Sequence, residues 1–121
     1  MFLQLNHQKL DVFIAAKSFT FECYKFTKML PSEEKFNMVQ QVRRASLSVC
    51  LNIAEGCSRK SLAERKRFFE ISRGSIIEID SALDIANDLE YIKDYDIAKL
   101  GEAMIRCFKM LSGLIASKET N

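Results

Sequence analysis

The chain has 121 residues, of which 48% are hydrophobic and 28% charged, with one proline, four glycines and a formal charge of +2. That length suits one domain, able to bury about two-thirds of its unfolded surface. Scarce proline and glycine exclude a disordered chain or a many-turned β fold, and the small net charge excludes binding driven by bulk charge alone.

Residues 1–8 are expected to form a loose arm. The first helix is predicted from Leu10 to Met29, because Val12, Ala16, Phe19, Cys23, Phe26 and Leu30 recur at spacings of four and three. A second row of Leu10, Phe13, Ile14, Phe21 and Tyr24 widens its apolar surface beyond what one neighbouring helix covers. Either the helix lies deep in the fold or its outer side meets another subunit.

Leu30-Pro31-Ser32 breaks this pattern, since proline cannot continue a helix but fits the first turn of the next. The second helix is predicted from Ser32 to Glu55, with Phe36, Val39, Val42, Ser46, Val49 and Ile53 as its core row, Leu47, Cys50 and Ala54 beside it, and Gly56 as its C-terminal cap. Ser61-Leu62-Ala63-Glu64 matches a capping box, so the third helix starts there and runs to about Leu89 along Leu62, Phe69, Ser72, Ile76, Ile79, Leu83 and Ala86. Gly74 in its middle predicts a close approach by a neighbouring helix. After a turn at Tyr91–Tyr95, Asp94 or Asp96 can cap the fourth helix, whose seam reaches Ala116. Residues 117–121 are expected to fray. Four amphipathic helices with short connections predict one all-α domain, an antiparallel up-down-up-down four-helix bundle.

Charge is unevenly spread. Residues 43–73 carry eight bases against Glu55, Glu64 and Glu70, whereas residues 74–97 carry seven acids against Lys93. The candidate nucleic-acid-binding residues are Arg43, Arg59, Lys60, Arg65, Lys66 and Arg67, because lysine and arginine bind phosphates through counterion release whatever the base sequence. Phe68 and Phe69 are read as core in preference to stacking platforms. Beside the apolar seam of the second helix, Gln41, Arg44, Ser48, Asn52 and Glu55 share one face. Counting back through the turn sets Ser48 near Phe69 and brings Glu70 and Glu78 within a turn of Arg44. A structural polar network of Arg44, Ser48, Asn52, Glu55, Glu70 and Glu78 is therefore expected, with an ion pair from Arg44 to Glu70 or Glu78.

Catalysis finds no support. The one histidine, His7, lies in the arm, and no Ser/His/Asp set, Glu-x-x-His pair or glycine-rich phosphate loop occurs. Cys23, Cys50, Cys57 and Cys107 lack metal-binding spacing and read as small buried apolar residues, so neither metal nor cofactor is expected. The N-terminal sequence lacks a basic segment followed by a long apolar run, and no stretch reaches membrane-spanning length. A cytoplasmic protein without membrane contact is the expectation.

Gln41-Val42-Arg43-Arg44-Ala45, Ser48, Asn52-Ile53-Ala54-Glu55-Gly56, Arg59, Phe68-Phe69, and Arg73-Gly74-Ser75 followed by Glu78 give the chain a specific signature. It resembles the 23S rRNA intervening sequence proteins over nearly its whole length. The resemblance implies a bacterial four-helix bundle that assembles as a homopentamer, and supplies no catalytic residue. A more distant relative implies a reverse transcriptase-like protein as a possible partner alongside nucleic acid. Ser72 and Cys57 depart from the usual pattern. The combined expectation is a non-enzymatic homo-oligomer associated with RNA or DNA through its basic surface. The alternative is a protein-interaction scaffold that docks an acidic partner without nucleic acid.

Overall fold

A computed structural model describes residues 1–118, which form four α-helices: α1 (Asp11–Met29), α2 (Met38–Ser58), α3 (Leu62–Asp88) and α4 (Ala98–Ala116). Among the described residues there is no strand. Among the described residues no helix is long and apolar enough to cross a membrane. The expected seam of α1 is its buried face: Val12, Ala16, Phe19, Cys23, Phe26 and Leu30 all lie in the core. Val42, Val49 and Ile53 of α2, Phe69, Ile76 and Ile79 of α3, and Leu100, Met104 and Leu111 of α4 complete it. A single apolar cluster therefore joins all four helices.

Each helix packs on two others, α1 against α2 and α4, and α3 against α2 and α4. The Thr20 hydroxyl donates to Ser46 O at 3.1 Å, while Arg43 Nε donates to Thr27 Oγ1 at 2.8 Å, which joins α1 to α2. Ser72 Oγ donates to Val49 O at 2.8 Å and Ser75 Oγ to Ser48 Oγ at 3.0 Å, joining α2 to α3. Arg73 Nη1 donates to Ser112 Oγ at 3.2 Å across α3 and α4. Phe26 meets the Tyr95 ring edge-on at 5.8 Å just before α4 begins.

Both boundaries of α2 depart from the sequence pattern. Ser32–Glu34 forms a short 3-10 turn, and α2 starts only at Met38, because Asn37 adopts a non-helical backbone (φ −133°, ψ −94°). The Glu34 carboxylate accepts the Met38 N–H at 3.3 Å and so satisfies a donor of the first turn of α2. Phe36, expected in the core, is consequently 77% exposed. Leu47, expected beside the core, faces outward as well.

At its other end α2 continues through Gly56 to Ser58. Gly56 is not the cap, since it has no positive φ; it is buried against Phe69 and the Arg65 carbonyl of α3. Gly74 reverses the expectation in the opposite sense, because a Cβ built there would meet nothing within 4 Å. Ser61 caps α3 as its motif requires, accepting the Glu64 N–H at 3.1 Å. The other end of α3 closes through Tyr91 N–H to Ala86 O and Glu90 N–H to Asn87 O, both 3.0 Å, with Glu90 in the left-handed region at φ 63°. Asp96 Oδ1 accepts from Ala98 N–H at 2.9 Å at the start of α4. The expected loose arm is exposed through Leu5, but Asn6–Lys9 forms a 3-10 turn with His7 edge-on to Phe13 at 4.8 Å. Of the expected frayed tail, residues 119–121 lie outside the described residues.

Candidate nucleic-acid interface

The basic surface is built on the reversal between α2 and α3. Arg59 follows the last residue of α2 with an extended backbone, and its guanidinium lies 4.9 Å from the centre of the Phe68 ring. Arg67, one turn into α3, reaches the same ring at 5.7 Å. Phe68 is half-buried and so serves two guanidiniums, whereas its neighbour Phe69 is buried in the core. A guanidinium resting on a ring face keeps its N–H edge available for planar acceptors. Arg59 uses part of that edge on Glu55, at 2.9 Å. Lys60 is exposed and Lys66 half-buried on the same reversal. Positive charge from these residues adds to the field at the N-terminus of α3.

Two of the six candidate bases have other surroundings. Arg65 is only 8% exposed, and its Nη1 donates to Cys57 O at 3.0 Å and to Arg59 O at 3.3 Å. It reaches from α3 to cover carbonyls at the C-terminal end of α2, so its cation holds the reversal together. Arg43 lies on the α1 side of α2, its guanidinium bonded to Thr27 and resting 4.8 Å from the Tyr24 ring centre. About 24 Å of helix separates it from Arg59. The bases brought together are therefore Arg59, Lys60, Lys66 and Arg67.

The polar network is smaller than expected. Asn52 Nδ2 donates to Ser48 O and to Ser48 Oγ, both at 2.9 Å, and Ser75 Oγ extends the chain to α3. Ser75, which the sequence shows only within Arg73-Gly74-Ser75, joins the network in place of Glu70 and Glu78. Arg44 donates to Gln41 Oε1 on its own helix, and Glu70 and Glu78 are exposed. Among the described residues neither glutamate pairs with Arg44. Because α2 runs beyond Gly56, Ser48 faces Ser75 instead of Phe69, a shift of about one and two-thirds turns that carries Glu70 away from Arg44. The same register sets Glu78 level with Arg44, but the Arg44 guanidinium turns to Gln41 on its own helix.

The cysteine thiols are free, and Cys23, Cys50 and Cys107 are buried. Burial pushes the Cys107 thiol up to about 12 and raises Cys23 and Cys50 as well. Such thiols stay protonated and unreactive. Among the described residues no group of three histidine, cysteine, aspartate or glutamate side chains is placed to hold a metal.

The sequence model of one family, described as 23S rRNA-intervening sequence protein, matches residues 8–113. The chain belongs to that family. The match to the 23S rRNA-intervening sequence proteins starts within the 3-10 turn at Asn6–Lys9 and continues into the last turns of α4, so it takes in the whole core. It includes both the Ser48, Asn52 and Ser75 network and the bases of the reversal. No curated protein matches the chain.

Proposed function

We propose that this protein is a non-enzymatic, cytoplasmic four-helix bundle that associates with RNA or DNA through the α2–α3 reversal. The observation that carries the reading is the pair of guanidiniums, Arg59 and Arg67, resting on one half-buried ring, Phe68. Contact with the ring restricts both side chains before any ligand arrives, which lowers the ordering cost of phosphate contacts. Lys60 and Lys66 add charge beside them. Contacts of this kind bind backbone phosphates and carry no base sequence information.

Contacts across α1–α2 and across α2–α3 run in opposite directions along the two helices, which supports an antiparallel up-down-up-down course for the bundle. Self-association belongs to the same proposal, with the five-fold number that the family resemblance implies. A ring of copies would multiply one weak patch into an avid surface. The test measures anisotropy of a labelled structured RNA and a labelled DNA duplex across a salt series. Wild-type binding is expected to weaken steeply with salt, and each phosphate contact removed should lower the logarithmic slope for duplex DNA by about 1. Arg59→Glu with Arg67→Glu should abolish it. A flat salt response, or unchanged binding by that variant, would sink the proposal. Salt-sensitive assembly without nucleic-acid binding would instead assign the basic surface to an acidic protein partner.

A further inference from the structure

Two outward surfaces remain after the core and the basic reversal are accounted for. The first is a stripe along α1, where Leu10, Ile14, Phe21, Lys25 and Lys28 repeat at helical spacing with Lys17 at its edge. Ile14 is 52% exposed and Phe21 66%. Lys17 lies 5.8 Å from the Phe13 ring centre and Lys25 pairs with Glu22 at 3.3 Å, so the positive charge of this apolar stripe rests mainly on Lys17 and Lys28. From Ile14 to Lys28 it extends about 21 Å.

The second surface is the groove between α3 and α4, whose mutual contacts are the sparsest of the four adjacent helix pairs. A cavity of about 630 Å³ and an adjoining one of about 300 Å³ share Asp80, Met104 and Ile105. Ile77 and Ile105 line it while 53% and 56% exposed. On its α3 wall Asp80 and Asp84 stand one turn apart, with Asp88 a turn further on. Among the described residues none of these three carboxylates pairs with a cation. Gly101 lies in the floor and leaves open space where a side chain would stand.

We propose that the α1 stripe of one copy docks in the α3–α4 groove of a second copy, placing Ile14 and Phe21 against Ile77 and Ile105 and the lysines against Asp80 and Asp84. The inference rests on the self-association reading above and adds to it which two surfaces meet. Complementarity carries it: one surface is apolar with Lys17 and Lys28 beside it, the other apolar with Asp80 and Asp84 on its α3 wall and Lys109 at the end away from Asp84. Exposed isoleucine and phenylalanine beside charged side chains is the composition of a recognition surface. Because the two surfaces differ, the contact is heterologous and propagates from copy to copy until a ring closes.

Light scattering on the full chain tests this with Phe21→Asp on the stripe and Ile105→Asp in the groove, both exposed and so compatible with folding, which circular dichroism verifies. Each variant alone is expected to be a monomer. Mixed, they should give a species of two copies and nothing larger, since one intact stripe meets one intact groove. In a separate chain, Lys25→Asp with Lys28→Asp should lose assembly, and adding Asp80→Lys with Asp84→Lys should restore it. A wild-type monomer would overturn self-association itself. Wild-type oligomers that persist in all variants, or half-variants that fail to pair when mixed, would overturn this pairing of surfaces while leaving self-association intact.

Discussion

Gly56 and Gly74 show how one residue type answers to opposite surroundings. A Cβ on Gly56 would lie 2.7 Å from Phe69 Cε1 and 3.2 Å from Arg65 O, and neither a core ring nor a helix carbonyl yields easily. Gly56→Ala should therefore destabilise the protein by about 1–3 kcal/mol through overpacking. Gly74 has free space around it in the interior of α3, so Gly74→Ala should stabilise by about 1 kcal/mol. Urea unfolding of the two variants checks both signs. If the two shift the midpoint in the same direction, the geometry assigned to one of them is wrong. Arg65 belongs to the same scale, since a base that reads as surface charge in the sequence is held by two carbonyls at the end of the neighbouring helix.

At the level of the helices, the interior seams were legible because burial on one side imposes a 3.6-residue period, and α1 and α4 follow it closely. The ends were less legible. Nothing in the local pattern announces that Asn37 breaks the second helix or that Glu34 takes over its first donors. The placing of α2 against α3 depends on where α2 stops, so a difference of a few residues at Gly56 moves the partner of Ser48 from Phe69 to Ser75 and carries Glu70 away from Arg44. Phe68 was misjudged for a different reason, since a half-buried ring has the spacing of a core residue and the company of Arg59 and Arg67 appears only once the chain has turned. The close of α3 offers a direct test. Glu90 occupies a left-handed conformation that glycine adopts without a Cβ clash, so Glu90→Gly should stabilise the fold by about 1 kcal/mol. Calorimetry that finds a lower midpoint would show that the Glu90 side chain contributes more than its backbone costs.

For the molecule as a whole, the three buried cysteines tie stability to alkaline pH. Their thiols are raised above the value of about 8.5 that they take in the unfolded chain. The folded state consequently keeps protons that the unfolded state releases, so this contribution is fully present below about pH 8.5 and is lost as pH rises through the folded values. Each thiol ionised only in the unfolded state steepens the loss by about 1.4 kcal/mol per pH unit. Urea midpoints of the wild type and Cys23→Ala between about pH 8 and 10 should diverge in slope, with the variant flatter. Parallel slopes would remove the cysteines from the account.

The short reversal at Arg59–Ser61 has a consequence for chain entropy. α2 and α3, which share the largest contact of any helix pair, are brought together by closing a loop of only a few residues, whereas joining α1 to α4 encloses almost everything between them. Closure entropy grows with the logarithm of loop length, and the difference here is about 3 kcal/mol. The two ends of the chain are thus the costliest contact to make from the open polymer, and α2 with α3 the cheapest.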